Sequence, residues 1–197
     1  MEMIYKICEI IVQMLIAFDF NVLHIINIGL SNKVFDLTMP VITDLKSWLP
    51  MLLVGAFYVI YKHRKRGIYI LLFLVISIGI TDSVNHNIIK NIFDRERPCH
   101  HQIALNELIG CPGGQSFPSS HALNSFCFAF LLSQFFKKYR WYYFSAAALI
   151  AFTRVYCGVH FPTDVIAGAL FGIFFGYLLF IIYKKLKLPL LENMVEK

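Results

Sequence analysis

Long apolar blocks, most of them close to the length of a membrane-spanning helix, divide this chain into segments. Hydrophobic residues make up 58% of the 197 positions, whereas soluble domains are nearer to half apolar. A helix needs about 20 mainly apolar residues to cross a bilayer. The blocks are residues 8–30, 48–61, 67–90, 118–136, 141–158 and 162–183. We therefore predict an all-α fold, an integral membrane bundle of about six transmembrane helices, in a single domain formed by residues 1–197.

Two parts of the N-terminal region are less regular. Polar residues interrupt block 8–30 at Asp19, Asn21, His24 and Asn27, so this block could cross the membrane or lie in its interface. Residues 31–46 have mixed character, and we interpret them as a loop or a surface helix in which Pro40 breaks any helix. The N-terminus has no basic region followed by a small-residue cleavage site, and we expect no removable signal peptide.

The formal charge of +6 comes from basic clusters in short connections and tails between the apolar blocks. This placement follows the positive-inside rule for cytoplasmic loops, and it lacks the basic face of a soluble nucleic-acid-binding fold. The prediction is cytoplasmic termini, contact with membrane lipids, no nucleic acid and no obligate protein partner. The clusters are Lys62 with Arg64, Lys65 and Arg66; Lys137 with Lys138 and Arg140; and Lys184 with Lys185 and Lys187.

Three short motifs sit at the opposite edges of the apolar blocks, and they carry cations, histidines and one carboxylate. A charged side chain near hydrocarbon costs up to about 3 kcal/mol on insertion scales. Converging cations also repel one another, and a bound phosphate would relieve both costs. The motifs are Lys90-x6-Arg97-Pro98, Pro118-Ser119-Ser120-His121 and Arg154-x5-His160-x3-Asp164.

The third motif is the most specific of the three. Asp164 lies four residues after His160, about one helical turn away, so its carboxylate can reach back to the imidazole. That contact would fix the tautomer and leave the other ring nitrogen free to attack phosphorus. Arg154 can grip two phosphate oxygens. The alternative for the motif taken alone is a capped helix start with a nearby ion pair.

The second motif opens a helix, and we place Pro118, Ser119 and Ser120 in its first turn. Free backbone N–H groups and the positive end of the helix dipole suit an anion there. His121 can act as a general acid toward the leaving oxygen. A lone histidine at a membrane interface more often makes a structural hydrogen bond than a catalytic contact. The two neighbouring motifs are the reason for preferring the catalytic role here.

The first motif begins at the end of the third apolar block. Lys90 alone could be explained by the helix dipole and lipid headgroups. Asp82, His86 and Lys90 recur every four residues as a polar stripe. Such stripes more often face neighbouring helices than a substrate, so Asp82 and His86 are candidates for supporting positions only.

In order and spacing, the motifs resemble those of the type 2 phosphatidic acid phosphatase superfamily, K-x6-RP, PSGH and SR-x5-H-x3-D, over about residues 82–168. Two residues depart from the pattern: Ser120 stands in place of Gly and Thr153 in place of Ser. The resemblance implies a metal-independent enzyme without a cofactor. It implies His160 as nucleophile through a phosphohistidine, Asp164 as its orienting partner, His121 as acid, and a phosphate site of Lys90, Arg97, Ser119, Ser120 and Arg154.

Cys99 and Cys111 both fall in the polar stretch 91–117. If that stretch lies outside the cytoplasm, the two could form a disulfide. The alternative is a zinc site of Cys99, His100, His101 and Cys111, although this spacing is not a recognised zinc pattern.

The sequence therefore predicts a lipid phosphate phosphatase of a bacterial inner membrane, with its site at the periplasmic face. By resemblance, its substrate could be undecaprenyl pyrophosphate, phosphatidylglycerophosphate, phosphatidic acid or the 1-phosphate of lipid A. One alternative is a phosphotransferase of the same fold. The other is a non-catalytic lipid-phosphate binder or transporter, which needs no nucleophile. A vanadium haloperoxidase, also in the superfamily, has little need of six lipid-embedded helices.

Overall fold

The structure is a computed structural model that describes residues 1–101 and 104–185. Over those ranges it contains helices and connecting segments but no strand, which confirms the all-α prediction. Two π-helical turns, Ile25–Gly29 and Asn85–Ile89, continue α1 and α4. The α-helices are α1 (Glu2–His24), α2 (Lys33–Thr43), α3 (Leu45–His63), α4 (Lys65–Val84), α5 (Lys90–Phe93), α6 (Ser120–Phe135), α7 (Arg140–Tyr156) and α8 (Pro162–Lys185).

All six predicted apolar blocks are helical, but they differ in length. Glu2–Gly29, Lys65–Phe93 and Pro162–Lys185 are long and apolar enough to cross a membrane. Helices α2 and α3 meet at a bend of 59° and could form a fourth crossing together. Helices α6 and α7 have 16 and 17 residues, about 24–26 Å at 1.5 Å per residue, which is shorter than the hydrocarbon core. The predicted number of six complete crossings is therefore approximate.

Residues 31–46 correct one expectation. Pro40 was expected to break any helix, but it lies inside α2, so of the two alternatives the helix is the right one. Asn32 caps α2 by accepting hydrogen bonds from the N–H groups of Val34 and Phe35 at 3.1 and 3.0 Å. Buried Met39 packs against α7. Capping and burial offset the backbone hydrogen bond that proline removes.

The closest helix pair is α6 and α8, and glycines on α8 make the approach possible. A Cβ atom on Gly168 would lie 2.6 Å from the Ser119 carbonyl oxygen, and one on Gly172 would lie 2.3 Å from the Leu123 carbonyl oxygen. Small residues of this kind let backbones approach within a membrane. Apolar side chains fill the rest of the contact with α4: Ile70, Leu74, Cys127, Leu131, Phe135, Phe180 and Tyr183.

The order of the helices places the motifs at one end of the bundle. Helices α4 and α7 run toward the motif residues, whereas α6 and α8 start from them. At the other end lie the three basic clusters, where the His63 and Phe136 rings meet. Lys187 of the third cluster, and the C-terminus, lie outside the described residues.

We expect Gly172→Ala to destabilise the protein, because its Cβ would collide with the Leu123 backbone. Overpacking of this kind costs about 1–3 kcal/mol. The measurement is the Tm of the purified protein in detergent. Gly79→Ala on α4 is the matched control, since nothing lies within 4 Å of its Cβ position. Equal Tm values for the two variants would contradict the close α6–α8 packing.

Candidate active site

His160 lies in the short turn between α7 and α8, and the turn buries it to 2% exposure. The Arg154 carbonyl accepts hydrogen bonds from the N–H groups of Val159 and His160 at 3.2 and 3.3 Å. Gly158 has φ +72°, a conformation that glycine adopts without strain at the end of a helix. The turn thus fixes the imidazole beside the end of α7.

Asp164 lies in the first turn of α8, which Pro162 begins. One carboxylate oxygen, Oδ2, accepts a hydrogen bond from the Phe161 N–H at 2.8 Å, as a third helical residue does in a capping box. The distance from His160 Nδ1 to this oxygen is 3.5 Å, longer than an ordinary hydrogen bond. The predicted reach of Asp164 back to the imidazole is therefore present at long range.

Ser116 fills the gap between His160 and Asp164. Its Oγ lies 3.3 Å from His160 Nδ1 and 2.5 Å from Asp164 Oδ2. Because a carboxylate can only accept, the Ser116 hydroxyl donates to Asp164, and its oxygen is left to accept from Nδ1–H. Ser116 is fully buried. It connects the two residues that were expected to meet directly.

Arg97 fixes the other side of the imidazole. Its Nη1 lies 3.0 Å from His160 Nε2, and because a guanidinium only donates, Nε2 is the acceptor and the ring proton is on Nδ1. Burial lowers the pKa of His160 to about 3, against the opposing effect of Asp164. The imidazole is therefore neutral near pH 7, with the Nε2 lone pair directed toward the cations.

Both cations of the first motif are buried, Lys90 to 5% and Arg97 to 7% exposure. Lys90 Nζ donates to the Gln115 carbonyl at 2.6 Å. Arg97 donates to the carbonyls of Gly114, Gln115 and Val159 at 3.1, 3.3 and 3.1 Å. Two positive groups thus converge on the segment that carries Ser116.

The second motif lies directly beside the third. The Ser119 N–H donates to the Asp164 carbonyl at 3.0 Å, and Ser120 Oγ accepts from Asn85 at 2.9 Å. The helix begins at Ser120, so Pro118 and Ser119 precede the first turn in which they were expected. Among the described residues, no side chain caps this N-terminus. His121, one residue into the helix, is exposed.

Two buried polar atoms of the motif residues have no partner among the described residues, Ser119 Oγ and Arg154 Nε. The Arg154 guanidinium is held at Nη1, which donates to Thr43 Oγ1 at 2.7 Å. An unsatisfied buried polar group costs about 1–3 kcal/mol. A serine hydroxyl and a guanidinium N–H are both donors to phosphate oxygens, and a bound phosphate would satisfy both.

The two supporting candidates on α4 lie apart from this cluster. Asp82 accepts a hydrogen bond from Asn124 at 2.7 Å, and His86 is exposed on the π-helical turn. Neither contacts His160 in the part of the chain that the structure describes. Lys90 therefore belongs to the cluster, and the Asp82 carboxylate acts on Lys90 and His121 electrostatically.

Sequence reasoning missed several residues that hold the cluster together. Ser116 lies two residues before Pro118, and Arg95 lies two residues before Arg97. This nearness to motif residues was the clearest signal for them in the sequence. Asp19 was noted only as an interruption of the first block. Thr43 carried no signal in the sequence.

Cys99 and Cys111 form a disulfide, with their Cα atoms 5.8 Å apart. His100 lies close to the two sulfurs. A zinc site would need thiolate sulfurs, which a disulfide does not offer. The arrangement therefore favours the disulfide over the zinc alternative.

Comparison with known proteins agrees with this geometry. The family model of the PAP2 superfamily matches residues 67–188. The chain belongs to the PAP2 superfamily. It is 30% identical to the lipid A 4'-phosphatase of Bacteroides thetaiotaomicron over 194 residues, 93% of this chain and 81% of that protein. It is also 30% identical to the lipid A 4'-phosphatase of Porphyromonas gingivalis over 162 residues, 79% of this chain and 69% of that protein.

Among solved structures, the chain is similar to Aquifex aeolicus LpxE, with a TM-score of 0.67 and 26% identity over 83% of this chain and 94% of that one. The resemblance drawn from the three motifs is thus confirmed. This PAP2 protein is an integral membrane enzyme, a hydrolase that acts on lipid phosphates.

We expect Ser116→Ala to lower kcat, because it removes the hydroxyl between Asp164 and the His160 ring. Hydrogen bonds to charged groups are worth about 1.5–3 kcal/mol, which corresponds to a loss of about 10- to 100-fold. The measurement is phosphate release at saturating substrate. Ser125→Ala in α6 is the control, since its hydroxyl donates to the Ala122 carbonyl of its own helix at 3.2 Å. Unchanged kcat in Ser116→Ala would refute the bridging role.

Proposed function

We propose that this PAP2 phosphatase transfers the phosphoryl group of a lipid to His160 and then to water. The observation that supports this most strongly is the buried neutral imidazole, whose Nε2 faces Arg97 at 3.0 Å. A nucleophile of this kind must be unprotonated and correctly aimed. The chain acts as one membrane-embedded domain, with its motif core at residues 82–168.

The phosphate binds among donors from three segments. Lys90 approaches from the start of α5, Arg97 from the loop that follows α5, and Arg154 from the end of α7. Ser119 Oγ and the backbone N–H groups at Ser120 face the phosphate at the N-terminus of α6. Positive groups fixed in a water-poor site stabilise the charge of a phosphoryl-transfer transition state.

The reaction proceeds in two steps. In the first, Nε2 of His160 forms a bond to phosphorus, the bond from phosphorus to the lipid oxygen breaks, and His121 gives its proton to that oxygen. In the second, His121 takes a proton from water, the water oxygen attacks phosphorus, and the phosphorus–nitrogen bond breaks to release inorganic phosphate. Asp164 stabilises the positive charge on the imidazole in both steps.

For the substrate we propose a phosphomonoester on a lipid A-type glycolipid. Relatives named as lipid A 4'-phosphatases match the chain over 79% and 93% of its length. Undecaprenyl pyrophosphate, phosphatidylglycerophosphate and phosphatidic acid are the competing substrates.

The site faces the periplasm of a bacterial inner membrane in this proposal. The described residues of the three basic clusters lie at the opposite end of the bundle, as expected for the cytoplasmic side. Helix α1 runs toward the site, where Asp19 near its end contacts Arg95, and this direction supports a cytoplasmic N-terminus. The Cys99–Cys111 disulfide is suited to the oxidising side of the membrane.

We expect His160→Ala to abolish phosphate release, because in this proposal His160 is the group that accepts the phosphoryl group. The assay uses lipid A, undecaprenyl pyrophosphate, phosphatidylglycerophosphate and phosphatidic acid, each with EDTA and no added acceptor. Acid-labile phosphoenzyme is trapped in parallel. His100→Ala, an exposed histidine, is the control.

The outcomes separate the alternatives. Turnover retained in His160→Ala would refute the nucleophile, and a non-catalytic binder would release no phosphate in any variant. Release that requires an acceptor would indicate a phosphotransferase, and inhibition by EDTA would indicate a metal. Faster release from a lipid other than lipid A would refute the proposed substrate.

The orientation predicts which side of the membrane each loop can be labelled from. In a Cys8→Ser background, we expect Glu107→Cys to react with a membrane-impermeant maleimide in intact cells whose outer membrane has been opened. Lys138→Cys should react only after the inner membrane is permeabilised. Both positions are exposed, so accessibility is matched. The reverse pattern would place the site in the cytoplasm.

A further inference from the structure

An ion pair between Asp19 and Arg95 ties α1 to the active site, and neither residue is one that the three motifs specify. Arg95 Nη2 contacts Asp19 Oδ2 at 2.6 Å, while Arg95 Nη1 contacts Asp164 Oδ1 at 2.7 Å. Asp19 and Asp164 are 1% and 0% exposed. One guanidinium therefore joins two buried carboxylates, and one of them belongs to α1, which precedes the family match at residues 67–188.

Further contacts fix this arrangement at the start of α8. The N–H of Thr163 donates to Asp19 Oδ1 at 2.9 Å, and its hydroxyl donates to Asp19 Oδ2 at 2.5 Å. The Arg95 guanidinium also lies 4.3 Å from the centre of the Phe161 ring. Both oxygens of Asp19 are thus occupied, and the guanidinium is held in one orientation.

We propose that Asp19 and Arg95 are positioning residues of the phosphatase reaction, which makes α1 part of the catalytic machinery. The inference rests on the proposed function, because it needs His160 as the nucleophile. The two carboxylate oxygens of Asp164 have different partners. Oδ2 accepts from Ser116 on the side of His160, and Oδ1 accepts from Arg95. Arg95 therefore controls the direction of the carboxylate and the charge that it presents to the imidazole.

The charges of Arg95 and Asp19 predict the direction in which each variant changes the pKa of His160. Removing Arg95 leaves the negative charge of Asp164 uncompensated, so imidazolium is favoured and the pKa of His160 rises. Removing the negative charge of Asp19 leaves Arg95 less compensated, so the same pKa falls. The other charged or titratable groups around His160 stay constant in both variants: Lys90, Arg97, His121 and Arg154.

The experiment compares Asp19→Asn, Arg95→Gln and the double variant in detergent micelles, with Glu9→Gln on α1 and Arg140→Gln on α7 as controls. Both control positions are exposed, and each control loses the same charge as the variant that it matches. We expect kcat to fall about 10- to 100-fold in each single variant, with KM little changed. Both controls should match the wild type.

The pH profile of kcat/KM separates positioning from folding. In Arg95→Gln, the acid limb of this profile should move toward neutral pH by about half a pH unit or more. In Asp19→Asn it should not move in that direction. In the double variant it should return toward its wild-type position. Arg95→Lys, which keeps the charge, should hold the wild-type limb even where kcat is reduced. That variant tests the charge if Asp19→Asn is not recovered in folded form.

Wild-type kcat in folded Asp19→Asn, or an unmoved limb in Arg95→Gln, would overturn the positioning role. In that case a wild-type enzyme that still forms phosphohistidine would leave the proposed function intact. A wild type that forms none would instead refute the proposed function itself.

Discussion

The buried carboxylate of Asp164 is the interaction on which the rest of this site depends. Its Oδ2 accepts from Ser116 and the Phe161 N–H, and its Oδ1 accepts from Arg95. A fully buried charge is tolerated only when it is paired and hydrogen-bonded. These donors come from the loop before α6, the turn before α8 and the loop after α5. Satisfying one carboxylate therefore assembles three separate stretches of chain around His160.

The contact between α6 and α8 extends this assembly into the membrane. The Ser119 N–H donates to the Asp164 carbonyl, and Gly168 leaves room for the Ser119 carbonyl beside α8. The N-terminus of α6 is thereby held at the level of His160. Because no side chain in the described ranges caps that N-terminus, its positive dipole end remains available to an anion. The close packing at the glycines of α8 thus positions the positive end of the α6 dipole at the site.

Much of this could be read from the sequence, because apolar block length and motif spacing are local properties. The blocks identified the helices, and the spacing of His160 and Asp164 anticipated one helical turn. Ser116 and Thr43 could not be found this way, since their roles depend on contacts with residues 44 and 111 positions away. The prediction for Pro40 was wrong for a related reason. The cap at Asn32 and the packing of Met39 on α7 outweigh the helix-breaking effect of the proline. Tertiary contacts decide such positions.

The two π-helical turns show how long helices adapt at the level of the site. Both occur toward the site end of a membrane helix, and each buries one asparagine completely. Asn27 donates to the Tyr156 carbonyl at 2.6 Å, at the end of α7, and Asn85 donates to Ser120 at the start of α6. A π-helical turn inserts an extra residue and shifts the helix face that follows. The asparagine amide can then point into the bundle and donate to a neighbouring backbone carbonyl or hydroxyl. The apolar face of the preceding helical turns keeps its position. The helices α1 and α4 can therefore be lipid-facing along most of their length and polar where they meet the catalytic turn.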